Sequence, residues 1–344
     1  MSAADRLDGT SSDCMVRLDE FLRQRIEGAS GAMVLKRIDG GQSNPTFFVD
    51  YAQRRLVLRK RPAGPLLPSA HAIDREYRIM SALANTGVPV PRMLLYHADP
   101  GLIGTAFYVM ERVEGRVFAD CSLPGVAACD RRSMVLAMAE TLAALHHVDW
   151  RAQDLADFGR QGNYFERQIA RWSRQWALSR TREIPEVEQL IQWLPAHLPD
   201  DDVTTIAHGD FRIGNLMFHP TEPRVVAVLD WELATLGHPL ADLAYSALAW
   251  RLRSDEYMGM RDRDLAALGI PTQAEYLDAY SACAPESGCL VPFHSAFALF
   301  RLAVIFEGIA SRAASGVASA ENAQDVGRLG VVFARRAIEA IESA

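Results

Sequence analysis

Between Ile206 and Asp230 the chain reads IAHGDFRIGNLMFHPTEPRVVAVLD, which sets two carboxylates and a carboxamide around one loop and one strand. Asp210 and Asn215 lie five positions apart in the irregular, Gly-containing segment HGDFRIGN, and such a loop can turn both side chains the same way. Past a turn at His219, Pro220 and residues 221–223, the unbroken apolar run Val225 to Leu229 reads as a buried strand that delivers Asp230 at its end. Two Asp and one Asn, with no Cys nearby, are hard oxygen ligands suited to Mg²⁺ rather than Zn²⁺. Phosphoryl transfer uses that set. One Asp accepts the acceptor hydroxyl's proton, while the Asn and the second Asp hold the metal that bridges the phosphates. On this reading Asp210 is the base and Asn215 and Asp230 are the metal ligands. Together with His208 and His219, the two aspartates could instead make a hydrolytic metal site. His219 sits beside a Pro in a turn and reads as a solvated loop residue, and His208 reads as a brace for the loop.

HGDFRIGN followed by LDWE resembles the aminoglycoside-phosphotransferase-like (APH/choline kinase) family, a branch of the protein-kinase-like fold. The resemblance runs from about Val34 to the C-terminal helices. GGQSNPTFFV, VLRKRP, SAHAIDREY, VPVPR, FYVMERVEG and GHPLADLAY bring it nearest in form to the kinase-like domain fused to some acyl-CoA dehydrogenases. It implies an α+β, protein-kinase-like bilobal fold, with an N-terminal five-stranded antiparallel sheet carrying a helix and a mainly helical C-terminal lobe. It also implies ATP as co-substrate, Mg²⁺ as cofactor and a small-molecule hydroxyl acceptor. Gly41, Gln42, Ser43 and Asn44 would lay backbone N–H groups on the phosphates. Val57 would line the adenine site, Met110 would lie beside the base, and the backbone from Glu111 to Val113 would read its edge. Asp242 would hydrogen-bond the backbone of the 208–215 loop, with Arg212 and Glu232 as further supporting residues. The chain departs from the protein-kinase form after Asp230, where Trp231 and Glu232 replace Phe and Gly. Without that Gly, a flip of the metal-binding Asp is less available as a switch.

Composition sets outer bounds. A chain of 344 residues with 49% hydrophobic side chains can bury a large core and divide into two lobes. Its formal charge of -7 argues against nucleic acid as a main partner, since phosphate backbones select basic surfaces. No apolar run reads as reaching membrane-spanning length, and MSAADRLDGTSSD lacks the basic start and apolar core of a signal peptide. A cytoplasmic protein without a membrane partner is the expectation. The five cysteines are odd in number and show no CxxC spacing, so thiols rather than a disulfide framework are expected.

In chain order, residues 1–12 read as a disordered tail, 13–113 as a nucleotide-binding lobe and 114–344 as a catalytic and acceptor-binding lobe with a helical insertion at about 163–200. A helix is expected over Asp13–Glu27, with Leu18, Phe21, Leu22 and Arg25 on one side and Gly28 as its stop. Met33–Ile38, Thr46–Tyr51 and Leu56–Lys60 read as a three-stranded meander. Alternation along the third strand puts Arg59 and Arg61 on one face and Leu58 and Lys60 on the other, so either Arg59 or Lys60 can supply the cation for the α- and β-phosphates. The family's V-L-R form favours Arg59, and a surface basic cluster ending a strand is the bland alternative. A helix follows, with Ser69 as its cap and Ile73, Tyr77, Met80 and Ala84 as its stripe. Glu76 lies just off that stripe, either paired with Arg59 as in kinases or solvated. Arg92–His97 and Ala106–Val113 complete five strands around an Asp-Pro-Gly turn.

From Asp130 the pattern is helical, and Phe165, Ile169, Trp172 and Trp176 recur at helical spacing. REIPEVEQLIQWLPAHLPDDD reads as a helical hairpin of the kind that walls an acceptor site, although helix packing explains it equally. Helices over Pro292–Ser315 and Asn322–Ser343 close the lobe. Arg301 and Glu307 are polar points in an apolar helix, open to acceptor contacts or to a structural ion pair. Arg167, Arg171, Arg174, Arg180 and Arg182 would suit an acceptor carrying carboxylate or phosphate, such as a hydroxylated acyl group or its CoA thioester. The leading function is an ATP- and Mg²⁺-dependent small-molecule kinase. The alternatives are a pseudokinase nucleotide-binding module and a metal-dependent hydrolase.

Overall fold

The computed structural model describes residues 12–38, 44–62, 72–314 and 323–343. The sequence-based expectations for the first eleven residues, for Gly41 to Ser43 and for Ser69 lie outside these. By its contacts the chain divides into one unit made of residues 1–115 and 226–232 and another made of 116–225 and 233–344. The strand that delivers Asp230 therefore belongs with the N-terminal unit, although the sequence places it deep in the C-terminal half.

In the first unit, α1 (Ser12–Arg25) is followed by β1 (Val34–Arg37), β2 (Thr46–Asp50), β3 (Arg55–Lys60), α2 (Ile73–Leu83), β4 (Met93–His97) and β5 (Phe107–Glu111). The five strands form one antiparallel sheet in the order β1-β2-β3-β5-β4. Alternation then decides what each face carries. Phe47 and Val49 of β2, Leu56 and Leu58 of β3 and Phe107 and Val109 of β5 point to one face, where Leu18, Leu22 and Ile26 of the α1 segment pack on them. Each buried leucine there contributes about 1.5–3 kcal/mol. Arg25 was expected on that buried side but is exposed. Its guanidinium lies 3.9 Å from the centre of the Phe21 ring, because the last turn meets water and a long cationic side chain can cover a ring while keeping its head solvated. Gly28, at φ +80°, ends the segment as expected.

Helix α2 covers the opposite face. Its buried stripe is Ile73, Glu76, Ile79, Met80 and Leu83, which corrects two expectations: Ala84 is exposed, and Glu76 lies on the stripe rather than beside it. The apolar pattern alone cannot place a buried acid on a core face. Ala72 precedes the first turn and supplies no side-chain cap bond.

The second unit continues with β6 (Arg116–Val117), α3 (Ala128–His146), α4 (Tyr164–Ser179), α5 (Pro185–Ala196), β7 (Thr205–Ala207), β8 (Leu216–Phe218), β9 (Val225–Val228, of which residues 226–228 pass to the first unit) and β10 (Thr235–Gly237). Then come α6 (Pro239–Ser246), α7 (Leu265–Leu268), α8 (Gln273–Cys283), α9 (Pro292–Ala314) and α10 (Ala323–Glu342). β7 pairs with β10 and β6 with β8, both antiparallel. Phe165, Ile169 and Trp176 of α4 and Val187, Leu190 and Leu194 of α5 join one apolar core with α6, α9 and α10. Over Pro292–Ala313 the core helix α9 does reach membrane-spanning length and apolarity, contrary to the sequence expectation, yet 83% of its most apolar stretch is buried inside the protein. A helix that is apolar all round fits a large core equally well. All five cysteines are free thiols.

Candidate active site

Strand β7 is fully buried and hands the chain to His208, Gly209 and Asp210. Gly209 has φ +83°, and a Cβ there would come within 2.8 Å of the Leu233 carbonyl oxygen. Only Gly meets both demands, and it is what lets the chain reverse so that Asp210 projects. A short 3₁₀ turn, Ile213–Asn215, then returns the chain to β8.

Two buried polar groups fix this loop. Asp242, in the first turn of α6, accepts hydrogen bonds from the backbone N–H of His208 at 2.5 Å and of Gly209 at 2.9 Å. Burial alone would push its carboxyl up, but the facing His146 and His208 and the Gly209 N–H outweigh that and hold it below the usual carboxylate range. The helix N-terminus adds in the same direction. Arg301 of α9, also buried, donates from Nη2 to the Gly209 carbonyl and lies over the Tyr245 ring. This resolves the polar points of α9. Arg301 serves the loop, whereas Glu307 accepts from the Thr181 N–H at 2.9 Å and the Arg182 Nη2 at 2.8 Å and so ties the α4–α5 connection to α9. For Glu307 the outcome is thus a structural ion pair, with Arg182 as its partner.

Within the loop, Asn215 Nδ2 donates to Asp210 Oδ2 at 2.7 Å and to the Asp210 carbonyl at 2.8 Å. The nitrogen is thereby committed, leaving the amide oxygen as the atom able to bind a cation. Arg212 Nε reaches Asp210 Oδ2 at 3.3 Å, and its Nη1 reaches Met258 Sδ at 3.6 Å. Burial works against the Arg212 charge, and Asp210 more than restores it. The loop's His208 is fully buried, and its Nδ1 accepts from the Asp210 N–H at 3.2 Å. His219 Nδ1 instead accepts from the Thr221 and Glu222 N–H groups and caps its turn. Among the described residues no three His, Cys, Asp or Glu side chains come together to hold a metal.

One participant escaped the sequence reading. Tyr245 donates its hydroxyl to Asp210 Oδ1. It lies three residues after Asp242 on α6, and that spacing puts both on one helix face. The signal was therefore present in GHPLADLAY, hidden because an aromatic in an apolar helix reads as core.

The first unit carries its own polar cluster on the α2 face of the sheet. Register explains the choice between the two cations of β3. Arg59 stands opposite Tyr108 and Lys60 opposite Phe107, so Arg59 faces α2 while Lys60 is buried on the α1 side. Arg59 Nε lies 3.0 Å from Glu76 Oε2, and its Nη2 lies 3.1 Å from Asp230 Oδ1 and 3.9 Å from Glu232 Oε2. Burial pulls the guanidinium down, and these three carboxylates hold it above its ordinary value. Burial pushes the Glu76 carboxyl up. Its donors, Asn44 Nδ2 at 2.7 Å, the Tyr108 hydroxyl at 2.9 Å and Arg59, define it as a carboxylate. Asn44 therefore spends its amide nitrogen on Glu76.

Val57 and Met110 are cross-strand partners on the same face as Arg59. Glu111 ends β5 half-buried, 3.2 Å from Arg92, and Val113 follows beyond the sheet. Asp230 has φ +63°, a left-handed conformation that Asp tolerates better than most residues and that concentrates at functional positions.

The phosphotransferase enzyme family model matches residues 34–284. The mouse protein named acyl-CoA dehydrogenase family member 10 is 48% identical over 91% of this chain, which spans 30% of that protein. The chicken acyl-CoA dehydrogenase family member 11 is 42% identical over 94% of the chain, which spans 43% of it. The chain thus spans less than half the length of these relatives. An aminoglycoside 3'-phosphotransferase of Streptomyces fradiae is 26% identical over 68% of the chain and 81% of its own length. Among solved structures, a Ralstonia eutropha protein assigned as an aminoglycoside phosphotransferase superposes with a TM-score of 0.88 at 43% identity, over 96% of this chain and 98% of that one. The aminoglycoside phosphotransferase APH(4)-Ia, in ternary complex with AMP-PNP and hygromycin B, shares the fold with a TM-score of 0.61 at 17% identity, over 93% of this chain and 98% of its own. The chain belongs to the APH phosphotransferase enzyme family and has its kinase-like fold.

Proposed function

We propose that the chain is a small-molecule kinase that transfers the γ-phosphoryl group of ATP to an acceptor hydroxyl. The observation that carries this reading is the 208–215 loop, where Asp242 and Arg301 fix the backbone and set Asp210 against the Asn215 carboxamide. Asp210 takes the hydroxyl proton as the acceptor oxygen bonds to the γ-phosphorus and the bond from that phosphorus to ADP breaks. The Asn215 amide oxygen and the Asp230 carboxylate are hard donors that fit Mg²⁺. Held by these two side chains when bound, that ion would offset the charge that develops on the phosphates. Arg59, held by Glu76, pairs with the α- and β-phosphates. Val57, Met110 and the Glu111–Val113 backbone receive adenine.

A hydroxylated acyl group, free or as its CoA thioester, is the acceptor we infer, in a cytoplasmic enzyme. The relatives named as acyl-CoA dehydrogenase family members support it. The arginine argument narrows. Arg182 is committed to Glu307, Arg180 lies 3.5 Å from Glu188, and Arg167 donates to the Arg160 and Gln161 carbonyls. The exposed Arg171 and Arg174 remain as the anion-facing candidates. Calorimetry with ATP, with and without Mg²⁺, tests the kinase reading. Wild-type protein should bind MgATP, Asp210→Asn should bind it nearly as well, and Asp230→Ala should bind it at least about tenfold more weakly, a difference of about 1.4 kcal/mol. No MgATP binding by the wild type would end the proposal.

A further inference from the structure

Both carboxylate oxygens of Asp210 are engaged, and not in the same way. Oδ2 takes Asn215 Nδ2 and Arg212 Nε, two donors that belong to the loop itself. Oδ1 takes the hydroxyl of Tyr245, a side chain from α6 that is 5% exposed. An acceptor hydroxyl that hands its proton to Asp210 has to approach one of these oxygens as a donor, in the manner in which the Tyr245 hydroxyl already approaches Oδ1. We propose, on the basis of the kinase reading above, that the Tyr245 hydroxyl occupies the acceptor hydroxyl's place on Asp210 Oδ1 and keeps water off that oxygen until an acceptor displaces it.

The surroundings suit a stopper that can yield. Burial first, and the Asp210 charge second, keep the Tyr245 hydroxyl protonated far above its ordinary range, so it stays a donor. Its ring lies under the Arg301 guanidinium, 5.4 Å from the ring centre, and Tyr257 is near enough to add to the upward push on its hydroxyl. Tyr257 is held at φ +69°, a strained conformation for a non-Gly aromatic. On its other side the Tyr245 ring borders a cavity of about 30 Å³ lined by Met138, Met258 and Met260. Thioether side chains can repack around a displaced ring. An enzyme whose base is exposed in the absence of acceptor would spend ATP on water. In that side reaction the water oxygen bonds to the γ-phosphorus, the bond to the ADP oxygen breaks, the water proton passes to Asp210, and the products are ADP and phosphate.

The test is phosphate release from MgATP by the purified full chain without acceptor. It compares wild type, Tyr245→Phe, Tyr257→Phe and the double variant Tyr245→Phe/Asp210→Asn. Tyr245→Phe keeps the ring and removes the plug, so acceptor-independent release should rise about tenfold or more, a fraction of what a positioned base can contribute. The double variant should fall back to the wild-type level or below, which a merely structural role for Tyr245 would not produce. Tyr257→Phe, which loosens the plug without touching Asp210, should rise by a smaller factor and carries the test if Tyr245→Phe does not fold. Release by both single variants at or below the wild-type rate, with MgATP affinity unchanged, overturns the inference and leaves the kinase reading intact. Absence of MgATP binding by the wild type overturns both.

Discussion

Asp242→Asn removes the charge that holds the 208–215 loop while keeping the side chain's size. In the wild type that carboxylate accepts two backbone N–H bonds, at 2.5 Å from His208 and 2.9 Å from Gly209, and is 1% exposed. Hydrogen bonds to a charged group contribute about 1.5–3 kcal/mol each, and a buried N–H left without a partner costs about 1–3 kcal/mol. An amide can keep one of the two bonds and turns a donor toward the other N–H. A loss of about 3 kcal/mol is therefore expected. For a unit of this size each kcal/mol moves the melting midpoint by about 2–4 °C, so the variant should melt about 6–12 °C lower. The effect has a sign in pH. The folded-state pKa of Asp242 lies below its unfolded value, so its contribution is complete above about pH 4 and is lost as the pH falls through the lower folded value. The gap between wild type and variant should narrow in acid. Transfer should fall by more than stability does, because a loop displaced by about 1 Å can cost about a hundredfold in rate. Differential scanning fluorimetry at pH 7 and below 4, with single-turnover transfer on the surviving protein, measures both. A midpoint within 2 °C of wild type at pH 7 would refute the bracing role.

The choice between the two cations of β3 is open to direct measurement. Arg59→Ala should weaken MgATP binding at least about tenfold, or about 1.4 kcal/mol, whereas Lys60→Met should change it less than about twofold; the reverse ranking in calorimetry would hand the phosphate role to Lys60. His294, buried beside His238 and Asp201, is pushed down to about 4 by burial first and by His238 second. The unfolded chain takes up that proton near pH 6.5, so this site costs the native state nothing above that pH and up to about 3 kcal/mol as the pH falls to 4. His294→Phe should flatten the acid limb of the stability curve between those values, and an unchanged limb in urea titrations would contradict the assignment. Truncating Leu22 in the α1 core to Ala should cost about 2–5 kcal/mol with no change in MgATP affinity. A loss of affinity at matched stability would mean that α1 does more than cover the sheet.

Much of the fold was legible because its signals are local. Short apolar and aromatic runs between turn residues marked β2, β3 and β5, and helical spacing of Phe165, Ile169 and Trp176 marked α4. The Gly-Asp-x₄-Asn loop and the acid ending an apolar strand pointed to the chemistry proposed above. What stayed hidden depends on partners distant in sequence. Glu76 is buried on its helix stripe only because Arg59, Asn44 and Tyr108 meet it there. Arg301 looked undecided because its partner is a backbone carbonyl, which leaves no mark in sequence. Tyr245 read as core because a pattern records that a residue is buried and not what its hydroxyl touches. The grouping of residues 226–232 with the first unit is likewise a matter of contacts rather than chain order. Helix α9 shows the converse failure, where a composition fit for a membrane is spent on a core.

The most direct test of the central claim is an ADP-release screen with MgATP over hydroxyacyl-CoAs, free hydroxy acids, amino alcohols, sugars and aminoglycosides, run in parallel on wild type and Asp210→Asn. Turnover stimulated by a hydroxylated acyl compound in the wild type, and absent from Asp210→Asn despite retained MgATP binding, is the predicted result. Equal stimulation in Asp210→Asn would contradict the base assignment, and stimulation by aminoglycosides or choline-like cations alone would contradict the acyl acceptor.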